Sequence, residues 1–192
     1  MAGGSGSGAL DSVSPPIQAF VQTMEAVLGD VAEGRAGEAD IGPAAMSALA
    51  EVLAAPDLLT TAQCQGAADC YRRHLLYADP QGRFTALCLV WRPGQASVVH
   101  GHTAWCTVGV VSGVAHEERF DVVEDEDEGG VRAVHLEGRD ADHRPGAVLM
   151  TRPGPDGVHR ISNRGPDDLV SIHVYGRDLT VDPTLINVVY DE

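Results

Sequence analysis

The second part of this sequence is a series of short apolar runs separated by turn-forming residues, and this pattern limits the fold more than any other feature. From about residue 71, runs rich in Val, Leu, Ile and Thr alternate with clusters of Gly, Pro, Asn and Asp. Such runs predict short strands joined by tight turns, which is typical of an all-β sandwich or barrel. Between Tyr71 and Trp91 we predict two strands around the turn residues Asp79-Pro-Gln-Gly82.

The first part has a different periodicity, and residues 14–62 are predicted to be helical. Ser14 is a candidate N-cap, because two prolines suited to a first helical turn follow it. Apolar residues then recur at helical spacing, and glycines at 29 and 34 are predicted to end the helix. A second amphipathic helix is predicted to stop near Pro56. The expected fold is therefore mainly β, a barrel with an N-terminal helical cap.

The sequence predicts a single domain. Its 192 residues suffice for a full hydrophobic core, and we find no internal repeat or second domain. Residues 1–13, rich in Gly and Ser, are predicted to be a disordered tail. Residues 14–192 would form the single domain, with the cap over about 14–70 and the barrel over about 71–192.

Charge and composition exclude several function classes. With 28 acidic and 13 basic residues the net charge is -15, which repels phosphate backbones and anionic lipid. We therefore expect no nucleic-acid or membrane partner, and the acidic run 121–130 is interpreted as a solvated hairpin tip. No signal peptide is recognised and no C-x-x-C pair occurs among the four cysteines, so we expect a cytoplasmic protein with reduced thiols. A monomer or a weak homo-oligomer is expected.

Two histidines one residue apart are the first candidate for chemistry. On a strand, side chains alternate between faces, so His100 and His102 would point the same way, together with Val98 and Ala104. Such a pair is either an ordinary solvent-exposed strand face or half of a metal site. The remaining histidines lie in turn-like or polar contexts and are predicted to have surface roles: His74, His116, His135 and His143.

The spacing around this pair favours the metal site. The spacing resembles the first cupin motif, with Cys106 where many cupins have glutamate. Five residues separate Gly94 from His100-x-His102, three separate His102 from Cys106, and six separate Cys106 from Gly113. This resemblance implies a jelly-roll barrel.

A second run resembles the second cupin motif. Pro155, Gly157, His159 and Asn163 supply its turn, histidine and asparagine, with one residue fewer between turn and histidine. The resemblance implies that His159 faces the histidine pair across the barrel and completes a triad of neutral ligands. Imidazoles suit Fe, Zn, Cu and Ni alike, so the ligands alone do not name the metal.

A closer resemblance covers roughly residues 70–176. The run Ser171-x-His173-x-Tyr175 beyond the third histidine is similar to that of the thiol dioxygenases, which comprise cysteine dioxygenase and 3-mercaptopropionate dioxygenase. Tyr71 and Arg73 match the Tyr-x-Arg/Gln element of that family. The resemblance implies one Fe(II) on the three motif histidines, with a small thiol and O2 as substrates.

Roles for the remaining residues follow from the same resemblance. Arg73, with Tyr71 beside it, would hold the substrate carboxylate, and a planar guanidinium suits this because it can pair with a carboxylate through two hydrogen bonds. Tyr175 would donate a hydrogen bond to bound oxygen or substrate, and Ser171 and His173 would orient it. The 3-mercaptopropionate enzymes carry glutamine at the Arg73 position and an arginine further downstream.

Cys106 has two interpretations. In animal cysteine dioxygenases a cysteine in this region forms a thioether with the tyrosine of the Ser-x-His-x-Tyr run, here Tyr175. Counted back from Gly113, Cys106 occupies that position, but counted from His102 it arrives one residue early. The alternative is a small buried thiol that fills the space of the missing glutamate.

The sequence therefore predicts a thiol dioxygenase that converts a small thiol carboxylate to a sulfinic acid. L-Cysteine is preferred, because no arginine follows Arg177. The alternatives are a 3-mercaptopropionate (or similar thiol acid) dioxygenase, a non-catalytic metal- or ligand-binding cupin, and a zinc or nickel cupin isomerase.

Overall fold

The computed structural model describes residues 13–125, 130–181 and 186–191, in which two α-helices precede eleven strands. The helices are α1 (Pro15–Ala32) and α2 (Ile41–Val52). The strands are β1 (Arg72–Ala78), β2 (Thr85–Trp91), β3 (His100–His102), β4 (Cys106–Ser112), β5 (Ala115–Asp125), β6 (Gly130–His135), β7 (Ala141–His143), β8 (Val148–Thr151), β9 (His159–Ser162), β10 (Leu169–Tyr175) and β11 (Asn187–Val189). The predicted tail, apart from Val13, and the tip of the predicted acidic hairpin lie outside the described residues.

The strands form two antiparallel sheets. One has the order β1-β2-β10-β4-β8, and the other has the order β11-β3-β9-β5-β6, with β7 added beside β5. The prediction of a mainly β fold with N-terminal helices is confirmed. Consecutive strands often lie in different sheets, since the chain passes from β3 in one sheet to β4 in the other.

The helices cover the outer face of the five-stranded sheet. Strand β2 is apolar throughout because it is buried on both faces: Ala86, Cys88 and Val90 face the helices, while Leu87, Leu89 and Trp91 face the opposite sheet. Helix α1 continues through Gly29 to Ala32 and ends just before Gly34, whose φ is 72°, so the predicted end is wrong for Gly29 and confirmed for Gly34. Neither helix in the described part of the chain combines the length and hydropathy needed to cross a membrane.

The turns predicted from sequence form where expected. In the β1–β2 turn, the Gly82 amide donates to the Asp79 carbonyl over 2.8 Å, and the buried Asp79 carboxylate accepts two guanidinium N–H groups of Arg83 at 2.7 Å each. Gly113 joins β4 to β5 at a φ of 76°, and a Cβ there would lie 2.8 Å from the carbonyl oxygen of Asp168. A side chain at position 113 would therefore be both strained and blocked.

Candidate metal centre

Three histidines meet between the two sheets. His100 and His102 lie on β3, and His159 lies on the neighbouring β9, directly opposite His100 in the strand register. One ligand nitrogen from each lies within 4.8 Å of the others, and all three side chains are buried. The convergence predicted from the two motifs is therefore present, and the cluster could hold a metal ion.

The strand that carries the histidine pair is shorter than predicted. It starts at His100, and the preceding Val98 is 56% exposed, so Val98 does not share the buried face of the histidines. The next residue, Val99, is buried in a small core cluster instead. The prediction failed for Val98 because strand alternation does not extend into the loop before β3.

The ring nitrogens of the cluster fit a metal. His100 Nδ1 donates to the Val98 carbonyl at 2.9 Å, and His159 Nδ1 donates to Glu117 Oε1 at 2.8 Å, which leaves Nε2 of each ring for coordination. Within the described residues, His102 Nδ1 is a buried nitrogen without a hydrogen-bond partner. Burial, and then the neighbouring imidazoles, lowers the pKa of His100 to about 4 and that of His102 to about 2. Both rings are therefore neutral at pH 7, the form that binds metals.

The predicted Ser–His–Tyr relay is present on β10. Ser171 Oγ lies 3.0 Å from His173 Nε2, and the Tyr175 hydroxyl lies 3.2 Å from His173 Nδ1. All three side chains are buried, since alternate residues of β10 face the interior. Burial, and then the histidines of the cluster, lowers the pKa of His173 to about 3, so its imidazole is neutral.

Trp91 adds a donor at the start of this relay. Its indole N–H donates to Ser171 Oγ at 3.1 Å, and an indole can only donate. A hydroxyl that already accepts one hydrogen bond is a stronger donor, so this arrangement favours donation from Ser171 to His173 Nε2. In that tautomer the neutral imidazole carries its proton on Nδ1 and donates to the oxygen of Tyr175. The phenolic proton of Tyr175 is then left to donate away from His173.

Cys106 faces Tyr175 across the β4–β10 pair. The two residues are direct partners in the antiparallel register, and both side chains line the same cavity. Burial raises the pKa values of both the Cys106 thiol and the Tyr175 phenol. Counting along one strand from His102 fails because β3 and β4 belong to different sheets. The predicted proximity is therefore present, and the thioether itself stays a prediction.

Arg73 and Tyr71 lie at the mouth of the same cavity. Arg73, on the edge strand β1, is exposed, and its Nη2 donates to the Tyr71 hydroxyl at 3.0 Å. The Tyr71 ring stacks on Trp91 with the ring centroids 4.0 Å apart. One small cavity is lined by the histidine cluster, the relay tyrosine, Cys106, Arg73 and Tyr71. Its single positively charged side chain lies at the mouth.

Sequence reasoning missed a buried carboxylate behind the metal centre. Glu117 on β5 contacts His159, and His143 Nε2 lies 3.0 Å from its other oxygen, so the prediction of a surface role for His143 is wrong. Although burial alone would raise the pKa of Glu117, the interactions with His159, Arg119 and His143 outweigh it and lower the pKa to about 2. The signal in the sequence was two adjacent glutamates on one strand, because alternation places one of them inside.

Asn163 of the second motif has a structural role. Its side-chain amide donates to the carbonyls of Trp91 and Asp167 at 2.8 Å each, and its own amide N–H donates to the Gln95 carbonyl at 2.9 Å. These bonds tie the β9–β10 loop to the end of β2 and to the β2–β3 loop. Asn163 therefore supports the site without lining the cavity.

Two facing antiparallel sheets around a buried histidine cluster define a cupin with a candidate metal centre. A family model described as cysteine dioxygenase type I matches residues 63–181. The chain therefore belongs to the cysteine dioxygenase type I family, which confirms the resemblance to thiol dioxygenases.

Several solved structures are similar to this chain at low identity. An uncharacterized conserved protein with a double-stranded β-helix domain from Klebsiella pneumoniae is 16% identical, with a TM-score of 0.49 over 68% of this chain and 93% of that chain. A Cupin 2 conserved barrel domain protein from Salinispora arenicola is 20% identical, with a TM-score of 0.43 over 67% of this chain and 95% of that chain. KdgF from Halomonas sp. is 18% identical, with a TM-score of 0.42 over 61% of this chain and 90% of that chain.

Proposed function

We propose that this protein is an Fe(II)-dependent dioxygenase that adds both atoms of O2 to the sulfur of a small thiol carboxylate. The product is the sulfinic acid, R–SO2H from R–SH, and L-cysteine is the preferred substrate. The observation that carries the proposal is one cavity, in a chain of the cysteine dioxygenase type I family, that holds the histidine cluster, the Tyr175 relay and Arg73. We also propose that the enzyme works in the cytoplasm.

Iron is proposed at His100, His102 and His159. Bound Fe(II) would activate O2 and hold the substrate sulfur as a thiolate, because a coordinated thiol loses its proton. The three imidazoles bring no negative charge, so an anionic substrate suits the site. Behind the ligands, the hydrogen bonds of His100 to Val98 and of His159 to Glu117 keep the rings in fixed orientations.

Arg73 is proposed to bind the substrate carboxylate. Its guanidinium borders the cavity, and the hydrogen bond to Tyr71 holds it there. A thiol that reaches the metal through sulfur can then extend its carboxylate toward the mouth of the cavity. Two attachment points would fix the orientation of a small molecule.

Tyr175 is proposed to donate its phenolic proton into the cavity. The relay supports this, because in the inferred direction His173 donates to the phenol oxygen and the phenolic proton is left for a partner in the cavity. Cys106 lies beside Tyr175 and is the proposed thioether partner. Such a bond would hold the tyrosine ring in place during turnover.

The alternative functions differ in which residues of the cavity they require. A 3-mercaptopropionate dioxygenase would use the same histidines with a substrate that lacks the amino group, but its family members carry glutamine at the Arg73 position and an arginine further downstream, whereas here no arginine follows Arg177. A non-catalytic binding cupin would have no need of a hydrogen-bonded relay next to the metal. A zinc or nickel isomerase would bind the same three imidazoles, and metal analysis of the purified protein separates it from an iron enzyme.

Oxygen consumption with a panel of thiols tests the proposal. The iron-loaded protein is expected to oxidise L-cysteine faster than 3-mercaptopropionate, and both faster than cysteamine, which has no carboxylate. Arg73→Ala should raise the KM for L-cysteine by an amount corresponding to about 1.5–3 kcal/mol, the usual cost of a lost charged hydrogen bond. Equal oxidation of cysteamine and L-cysteine by the wild type would overturn the role of Arg73.

The metal ligands are tested separately. His159→Ala is expected to remove most of the iron and the activity. Full iron occupancy in that variant would overturn the ligand assignment. A protein that binds iron and thiol without consuming oxygen would support the binding cupin instead.

A further inference from the structure

We propose that Glu117 is a positioning residue of the metal centre, which fixes the orientation of the His159 ring and is itself fixed by His143. This inference rests on the proposed iron site. It assigns a role to a carboxylate that lies outside the cavity and touches neither substrate nor metal.

The contacts of Glu117 use both of its oxygens. The side chain is 4% exposed, and Oε1 accepts from His159 Nδ1 at 2.8 Å and from Arg119 at 3.2 Å. Oε2 lies 3.0 Å from His143 Nε2. A buried carboxylate with three N–H partners is held in one position, because any rotation would break at least one of these bonds.

The hydrogen bond that orients His159 differs from the one that orients His100. His100 donates to a backbone carbonyl of its own loop, whereas His159 donates to a carboxylate on the adjacent strand β5. A carboxylate that accepts from the distal nitrogen of a metal-binding histidine fixes both its tautomer and its ring plane. Glu117 therefore keeps His159 Nε2 directed at the point that the other two ligands share.

The short strand β7 positions His143. The three-residue strand β7 pairs with the start of β5, with Ala115 opposite His143 and Glu117 opposite Ala141. This pairing brings the His143 ring over the carboxylate. An open cleft lined by Arg119, Arg139 and Asp156 lies on the outer side, so the network links the buried centre to solvent.

Glu118 provides a matched control on the same strand. It faces the opposite side of β5 and pairs with Arg160 at 2.8 Å and Arg164 at 3.0 Å. Glu118→Gln thus removes an equally well-paired carboxylate that contacts none of the three metal-binding histidines. Glu117→Gln removes the charge that His159 faces and puts an amide NH2 among three donors.

The experiment measures the Fe(II) dissociation constant of each full-length protein by competition with a chelator under anaerobic conditions. Electron paramagnetic resonance of the iron–nitric oxide complex reports the ligand arrangement, and the melting temperature of the metal-free protein reports folding. Glu117→Gln is expected to weaken iron binding by ~10–100-fold and to alter the resonance spectrum. Glu118→Gln should leave both unchanged, whatever it does to the melting temperature.

The outcomes separate this inference from the proposed function. A wild-type protein that binds no iron would refute the metal assignment itself. If the wild type binds iron and folded Glu117→Gln binds it equally well with the same spectrum, only the positioning role is overturned. If Glu117→Gln does not fold, His143→Gln decides, because it keeps the carboxylate: a changed spectrum and weaker binding support the inference, and wild-type values refute it.

Discussion

Replacement of Trp91 by Phe tests the direction of the proton relay. The indole N–H donates to Ser171 Oγ at 3.1 Å, and this bond strengthens the hydroxyl as a donor to His173. Phe keeps an aromatic ring for the stack with Tyr71, whose centroid lies 4.0 Å away. The change therefore removes one donor while it leaves the mouth of the cavity intact.

The expected decrease in kcat follows from the free energy of one hydrogen bond. Without the indole donor, Ser171 loses its preference for donating and can accept from His173 Nε2–H, so that His173 Nδ1 accepts the proton of Tyr175. The phenol would point its proton away from the cavity in that arrangement. A hydrogen bond contributes about 0.5–1.5 kcal/mol net, so kcat should fall by about 2- to 13-fold. The KM for the thiol should change little, because Arg73 and Tyr71 are untouched.

Steady-state oxygen uptake by iron-loaded Trp91→Phe and wild type measures both constants. Tyr71→Phe is the matched control, because it removes the hydroxyl that accepts from Arg73 at 3.0 Å and should act mainly on KM. An unchanged kcat in Trp91→Phe, or a loss confined to KM, would refute the assigned direction of the relay.

Three further predictions concern the crosslink and stability. Aerobic turnover is expected to lower the intact mass by two hydrogens, as the Cys106 sulfur joins the Tyr175 ring and O2 takes up the hydrogens; an unchanged mass in active enzyme, or the same loss in Cys106→Ala, contradicts it. The metal-free protein should lose stability as the pH falls from about 6.5 to about 4. The buried His100 has a pKa of about 4 and stays neutral over this range, whereas the same histidine in the unfolded chain is protonated. A constant melting temperature over this range would exclude this linkage. Asp79→Asn should lower the free energy of unfolding by about 1–3 kcal/mol, measured by urea denaturation, since Arg83 loses its charged acceptor; an unaltered midpoint would show that this pair contributes nothing.

Much of the fold was predictable because its signals are local. Short apolar runs identified the strands, and the turn residues between Asp79 and Gly82 located the first hairpin. Of the two glycines predicted to end α1, Gly34 follows the helix end, but Gly29 lies inside the helix, because a glycine there costs only about 1 kcal/mol, which burial of the α1 face offsets. The pairing of strands into two sheets joins residues distant in sequence, and no local pattern specifies it.

The candidate site divides in the same way. Residue spacing predicted the histidine pair and the Ser–His–Tyr run, because both depend on the alternation of side chains within one strand. Glu117 was missed because alternation does not tell which of two adjacent glutamates faces inward. The contact of Cys106 with Tyr175 was uncertain for a similar reason, since the chain changes sheets between His102 and Cys106.

The most direct test of the proposed function measures O2 consumption and sulfinic acid formation together in iron-loaded wild type with L-cysteine. One O2 should be consumed for each cysteine sulfinic acid formed, with both oxygen atoms of the sulfinate group labelled when 18O2 is supplied. His159→Ala should form no product. Oxygen uptake without sulfinic acid, or a sulfinate group that takes its oxygen from water, would show that the proposed reaction is wrong.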